Sequence, residues 1–364
     1  MSNPSSAARE SERSGLGRVA GVFGAKGLNR YQVGVLAIAL LGLVTIPFWG
    51  YGFLYVLALA NIWAIFAMSW DIISGHTGYI SFGHSLLSGA AAYTTAIIVF
   101  NLDPNASIAI TFPLSVLAAF VVGMLFALPS LRLRGPYFSL LTFVSVLIAV
   151  KLIFVFSAYT NSELGISAVP VISYNNFVLY YTTLVPMLLI AAVLVFISRS
   201  DVGLVLSAIR ENEPAVEAAG LDTTKFKIGA FAISAIPMGI GGALLAHYYG
   251  NVDPATVLVV DRSIEMIAMA AIGGMGSILG PLAGAYLFVY LRDSLFLSLF
   301  SPNVRWVALW TVVLILLVFA PNGAFRRFWQ FLGDLGPDRR LRQEPGRALS
   351  RFRSPASSEG GEEE

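Results

Sequence analysis

The chain contains no cysteine, so disulfides, thiolate metal sites and thiol nucleophiles are all excluded. Charge is scarce as well: Asp, Glu, Lys and Arg make up 12% of 364 residues, against roughly 25% in a soluble globular domain. No phosphate loop of the GxxxxGKS/T type is present. The nearest approach, GVFGAKG around Lys26, has neither the spacing nor the following Ser or Thr, so the chain holds no ATPase motif of its own. There is no Ser/His/Asp or paired-carboxylate set with a soluble cleft to house it, which argues against a hydrolase, and nothing supports nucleic-acid binding. His76 and His84 lack further His, Asp or Glu at ligand spacing, so no metal site is read.

What the chain has in abundance is apolar length. Hydrophobic residues reach 57% and the mean hydropathy is +0.76. A bilayer core needs about 20 apolar residues per helical crossing, and runs at 31–49, 52–73, 106–129, 137–159, 176–198, 228–248 and 304–320 qualify. Two more, 77–100 and 263–291, are punctured by Gly, Ser or His and read as broken or re-entrant. The expectation is an all-α polytopic membrane protein with eight to ten transmembrane or re-entrant helices, since only helices satisfy the backbone within such segments.

Basic residues give the orientation. Five lie in 1–30, two in the Leu131 to Gly135 loop, four in 199–227 and eight after Ala324. The positive-inside rule assigns all four segments to the cytoplasm. Parity then demands four crossings before Arg132, two between Arg134 and Arg199, and an even number from Lys227 to Arg326. The last condition makes 263–291 a hairpin or re-entrant pair. Segment 1–30 reads as a cytoplasmic tail, 31–325 as the membrane domain with 31–49 a retained anchor, and 326–364 as a cytoplasmic tail. Its end, rich in Arg, Pro, Ser and Gly, lacks the apolar content to fold and sits where it can touch anionic membrane lipid.

Between two apolar spans lies a charged island, RSDVGLVLSAIRENEPAVEAAGLDTTKFK, from Arg199 to Lys227. Val202, Leu204, Val205, Ala208, Ile209, Val216 and Ala219 recur at roughly helical spacing, with Arg210, Glu211, Glu213 and Glu217 on other faces. Pro214 predicts two short helices meeting near Glu213. Gly220 stops the second, and small residues beside a carboxylate, Glu217-Ala218-Ala219-Gly220, suit close docking of a partner. An ordinary solvated loop would have a similar composition.

Glycine is concentrated in two stretches. Gly75, Gly78, Gly83 and Gly89 punctuate SGHTGYISFGHSLLSGAAAYTT at 74–95, and Gly273, Gly274, Gly276, Gly280 and Gly284 punctuate the segment near 273–285. Such stretches allow close helix contacts, and breaks matched between two halves also mark the path in inverted-repeat transporters. The path candidates are Ser81, Gly83, His84, Tyr93, Gly274, Gly276 and Ser277. Ionisable groups near the membrane are Asp71, His76, His84, Lys151, His247, Asp261, Arg262, Glu265, Arg292 and Asp293, each a weak functional candidate because charge in lipid is costly.

ENEPAVEAAGLDTTKFKIGAFAISA resembles the coupling loop of permease subunits of ABC importers, in particular the branched-chain amino acid permease family. SGHTGYISFGHSLLSGAAAYTT, RLRGPYFSLLT, GGMGSILGPLAGA and Ala320-Pro321-Asn322-Gly323 resemble further blocks of that family, in order, over about 50–325. The external loop Asn161-Ser162-Glu163-Leu164-Gly165 before Pro170 departs from the family's glycine-rich pattern. The resemblance implies an ABC importer permease fold with an inverted repeat, in the bacterial inner membrane with both termini cytoplasmic. It implies a second homologous permease, two ATPase subunits that use ATP and Mg, and an extracytoplasmic solute-binding protein; this chain would bind no cofactor. It places Glu211, Glu213, Glu217, Ala218 and Gly220 on the helix that seats in the ATPase. Branched-chain or related amino acids are the implied cargo, with urea or short amides, and an ATP-independent channel or secondary carrier, as alternatives.

Overall fold

The computed structural model describes residues 30–334 apart from Trp49, Tyr51, Asn105, Leu131, Arg132, Arg134, Ala168 and Asn322. The expected N-terminal tail, the expected tail beyond Asp334 and the basic pair Arg132 and Arg134 lie outside the described residues. The helices are α1 Arg30–Thr45, α2 Leu54–Gly75, α3 His84–Leu102, α4 Ile108–Ser130, α5 Pro136–Val155, α6 Asn176–Arg199, α7 Asp201–Ala218, α8 Thr223–Tyr249, α9 Val260–Gly273, α10 Leu279–Leu299, α11 Pro302–Phe319 and α12 Ala324–Asp334. Eight of the described helices are long and apolar enough to cross a bilayer, and Val304–Phe319 is a shorter apolar helix. With the 14-residue α9, this reaches the upper end of the expected eight to ten segments. Two short strands, β1 Ile166–Ser167 and β2 Asn251–Val252, pair antiparallel.

Residues 45–327 form one compact unit, and 30–44 with 328–334 belong to another, in which the Gln32 side-chain amide donates to the Trp329 carbonyl at 3.2 Å. At the heart of the larger unit is α2. Its sequence is apolar on every side, which fits a helix surrounded by others, and 89% of its span is buried. It packs against α6, α8, α9 and α10, while α8 also packs against α3 and α4. The equally apolar α4 and α5 are only 22% and 33% buried; their exposed faces, Leu117, Val121, Leu125, Leu140 and Leu147 among them, suit hydrocarbon.

Few polar side chains bridge these helices, and those that do bind one another. Asn61 of α2 donates to Thr183 Oγ1 of α6 at 3.0 Å and accepts from the Tyr286 hydroxyl of α10. Ser69 of α2 donates to the Ser234 carbonyl of α8 at 2.6 Å, and Ser234 returns a bond to the Ser69 carbonyl at 2.8 Å. Close approach does the rest. A Cβ at Gly242 of α8 would lie 2.3 Å from the Ser88 carbonyl oxygen of α3, so this contact exists only with glycine.

The stretch 77–100, expected to be broken or re-entrant, is instead an irregular strap over 78–83 followed by the unbroken 19-residue α3. Its His and Ser residues do not interrupt the helix because buried partners satisfy them: His84 Nδ1 lies 2.9 Å from Ser81 Oγ, and Nε2 lies 2.9 Å from Ser234 Oγ. The run 137–159 also ends sooner, at Val155. In contrast, 263–291 is a hairpin, with α9 and α10 joined through the turn at 274–278. Four helices of span length precede position 132, two separate 134 from Arg199, and two, α8 and α10, lie between Lys227 and Arg326, so each count is even.

Replacing Gly242 with Val should lower stability by about 1–3 kcal/mol, the usual cost of overpacking, while Gly229→Ala, where nothing lies within 4 Å, should leave it unchanged or slightly raised. Thermal unfolding of the two purified variants checks this; equal melting temperatures would refute the α3–α8 contact.

Candidate functional site

The island folds as α7, a helix in two parts. Asn212, at φ −159° and ψ 88°, breaks it. The Asn212 side chain accepts from the Ala215 amide at 3.1 Å, the third residue of the next turn, so it acts as N-cap of the second part. Pro214 then occupies an early position where its missing N–H leaves no bond unmade. The end is closed by a Schellman turn: Leu221 N–H donates to the Val216 carbonyl, Gly220 N–H to the Glu217 carbonyl, and Gly220 has φ +87°. The expected two helices are therefore present, with the break one residue earlier than Glu213. The buried face differs from the expected one. Gly203, Leu206, Ile209 and Val216 are buried, while Val202 and Leu204 are exposed, because the seam follows i, i+3, i+6 and the flanking apolar residues face outward.

Glu213 points inward. Lys227 Nζ donates to Glu213 Oε1 at 2.7 Å, the Tyr79 hydroxyl to Oε2 at 2.5 Å, and the Thr223 hydroxyl to Oε1 at 2.9 Å. Lys227 is 2% exposed and its ammonium lies 4.4 Å from the Tyr79 ring centroid. Burial alone would raise the Glu213 carboxyl, but the bonds from Lys227, Tyr79 and Thr223 and the Lys227 charge together hold it below the ordinary glutamate value. This clip fastens the second part of α7 to the start of α8 and to the 78–83 strap. Glu217 Oε1 lies 3.0 Å from the same Thr223 hydroxyl, within reach of its one hydrogen as an alternative acceptor. Glu211, Glu217, Ala218 and Gly220 lie at the surface.

The first part of α7 is fastened separately. Arg210 Nη1 donates to the Gly75 carbonyl at the end of α2. Gly75 lies against Asp71 and against the α9–α10 turn: a Cβ there would meet Asp71 Oδ1 at 1.9 Å and the Gly276 nitrogen at 2.7 Å. Asp71 is fully buried, and its carboxylate accepts from the Gly276 amide at 2.7 Å and from the Ser277 and Ile278 amides at 3.1 Å each. Gly276 has φ +78° and Ile278 φ +53°, so the turn forms a nest of successive N–H groups around one anion. Between the strap, the start of α5 and α7 lies an open groove of about 640 Å³, lined in part by Thr77, Tyr79, Gly135, Ser139, Ile209 and Glu213.

The path candidates do not share one cavity. Ser81 and His84 are fully buried in the α3–α8 hydrogen-bond chain, and Gly83 packs on Thr142 of α5. Ser277 and Gly276 belong to the Asp71 nest, and Gly274 meets Gly323. Tyr93, 5% exposed, is set apart from these, with a hydroxyl that has no hydrogen-bond partner among the described residues. Of the other ionisable groups, Lys151 is exposed. Arg262, Glu265, Arg292 and Asp293 converge: Arg292 pairs with Glu265 and Asp293 at 2.8 Å each, Arg262 with Glu265 at 3.3 Å, and both guanidiniums lie within 5.2 Å of the Trp63 ring centroid. The divergent loop at Asn161 leads into β1, and its Pro170 carbonyl lies 2.7 Å from His247 Nδ1. The inward roles of Arg210, Tyr79 and Lys227 were not read from sequence, because the contacts join residues 14 to 148 positions apart.

A model for the branched-chain amino acid transport system permease component matches residues 52–320. Among curated proteins, the chain is 27% identical to the high-affinity branched-chain amino acid transport system permease protein LivM of Salmonella typhimurium over 267 residues, 65% of this chain and 62% of that protein. It is 22% identical to BraD of Pseudomonas aeruginosa over 300 residues, 74% of this chain and 94% of BraD, and 25% identical to LivH of Escherichia coli over 144 residues, 40% of this chain and 46% of LivH. The chain thus spans under two thirds of the length of LivM. No solved structure matches it.

The Glu213 clip gives a pH test with a defined sign. A carboxylate held below its ordinary value in the folded state contributes stability above the unfolded value, near 4.3, and loses it as pH falls through the depressed folded value. The wild-type protein should therefore keep a stability advantage over Glu213→Gln from neutral pH down to about pH 4 and lose it only below that. Melting temperatures of the two purified proteins across pH measure this; equal values at every pH would refute the clip.

Proposed function

The chain belongs to the branched-chain amino acid transport system permease component family, and on that premise we propose that it is one membrane subunit of an ATP-driven importer, with α7 as the element that receives the ATPase. The observation that carries this reading is the construction of α7. Its inner side is clipped through Arg210 and Glu213, while Glu211, Glu217, Ala218 and Gly220 stand at the surface on a rigid, capped turn. A protruding helix held by buried bonds costs side-chain freedom and polar desolvation that a solvated linker does not need. Such rigidity suits a docking element that transmits force.

The relatives support one part of the remaining assembly. LivM and LivH are both named permease proteins, which supports a second homologous permease beside this chain. Two ATPase subunits would bind ATP and Mg, and a solute-binding protein would deliver cargo on the opposite side. ATPase closure would rock the helices and alternate access. The substrate we propose is a branched-chain or related amino acid, the setting the bacterial inner membrane, and both termini cytoplasmic. This chain supplies the path and the docking surface, and no catalytic group.

A single cysteine at Glu217 is unambiguous in a chain with no native cysteine. Cross-linked in native membranes, it should capture an ATPase whose yield shifts with ATP. Glu217→Lys and Gly220→Trp should abolish ATP-dependent uptake of labelled leucine while the protein still inserts. At Gly220 nothing lies within 4 Å of a built Cβ, but its φ of +87° strains any side chain there, so Glu217→Lys reads docking without a backbone cost. Normal uptake in both variants, or a cysteine at 217 that captures nothing, would favour an ATP-independent channel or carrier; uptake of urea in place of leucine would move the cargo to short amides.

A further inference from the structure

We propose that Asp71 is a positioning residue that ties the docking helix α7 to the α9–α10 hairpin, so that force on α7 reaches the hairpin through Arg210, Gly75 and Asp71. This rests on the reading of α7 as the ATPase-receiving element. Four contacts form one continuous chain. Arg210 Nη1 donates to the Gly75 carbonyl, and it would lie 2.7 Å from a Cβ at Gly276, so the guanidinium covers both glycine backbones. Gly75 has no room for any side chain between Asp71 and Gly276. Asp71 holds the amides of Gly276, Ser277 and Ile278 at 2.7–3.1 Å. Ile278 is the residue before α10.

The backbone at Ile278 explains why a carboxylate is needed. A β-branched residue at φ +53° is strained and persists only where its surroundings impose it. An anion that takes three successive N–H groups favours it, because this turn aims all three at the Asp71 carboxylate. His76 Nδ1, 3.7 Å from Asp71 Oδ2 and 3.1 Å from the Asp71 carbonyl, supports the same carboxylate from the α2 side. The start of α10 is thus set by a residue of α2, and the end of α2 is gripped by α7. The Glu213 clip does not provide this route, since Tyr79, Thr223 and Lys227 lead to the strap and to α8.

The test uses the native complex, purified through a tag on this chain, reconstituted in proteoliposomes and supplied with labelled leucine and its binding protein. Uptake and ATP hydrolysis are measured in the same vesicles for wild type, Asp71→Asn and Arg210→Gln. Arg210 is exposed, so its variant remains informative if the buried substitution fails to fold. The expected result is that Arg210→Gln assembles and hydrolyses ATP, but moves about tenfold less substrate per ATP, the range over which coupling residues act. Asp71→Asn should show the same uncoupling or fail to assemble. Unchanged transport per ATP in Arg210→Gln would overturn the proposal, as would a parallel fall of uptake and hydrolysis, which marks a purely structural contact. Failure of the wild-type chain to bring down any ATPase would instead remove the docking reading beneath it.

Discussion

A carboxylate buried among apolar helices has to be satisfied or it cannot stay there. Asp71 meets that requirement with backbone, taking three amides from a turn more than 200 residues away in sequence. Much of the arrangement at this end of the larger unit depends on it. The turn must bend with positive φ at Gly276 and Ile278, the last turn of α2 must leave room beside Asp71, and so position 75 must be glycine. With a bare backbone at position 75, its carbonyl is open to an outside donor, and Arg210 of α7 takes it.

The same economy governs the interior as a whole. Without a hydrophobic difference between lipid and side chain to drive association, helices in a membrane hold together by close packing and by polar groups that bond to one another. Asn61, Ser69, Thr183, Ser234, His84 and Tyr286 do this among α2, α3, α6, α8 and α10, and each is engaged in a bond. At another position on these helices, Arg262, Glu265, Arg292 and Asp293 neutralise one another over Trp63. Of these, Glu265 and Arg292 are buried and Arg262 and Asp293 half-buried, as the expense of charge in lipid requires, and their bonds run to protein.

Much of this was legible in the sequence. Span number, the even helix counts between basic segments and the hairpin at 263–291 followed from apolar length and from where Arg and Lys fall. Pro214 and Gly220 announced the break and the stop of α7, since their backbone restrictions act locally. What sequence spacing could not supply was partner choice. A helical wheel placed Glu213 with the outward charges, but the kink at Asn212 re-aims the second part of α7 and turns Glu213 toward Lys227. Likewise, His84 and the serines around it read as a helix break because their partners Ser81 and Ser234 lie on different segments. Glycine density marked 74–95 and 273–285 correctly as places of close approach, but left Gly242 unremarked although its contact with Ser88 is as tight as many of those.

The internal use of polar groups bears on selectivity. A zwitterionic amino acid crossing the bundle needs partners for an ammonium and a carboxylate, and a site that binds it tightly keeps such groups aimed into a cavity. Here the buried polar atoms are engaged with one another, and the buried donors without a partner among the described residues are Trp63 Nε1, the Tyr93 hydroxyl and Arg305 Nε. An interior whose polar groups are already paired offers little differential affinity between one small substrate and another, and discrimination is a difference of affinities. In the importer proposed above, recognition would fall to the solute-binding protein, so no further charge need be buried for the cargo. Asp71, Arg210, Glu213 and Lys227 serve instead to hold α7 to α2 and α8, and α2 to the α9–α10 turn.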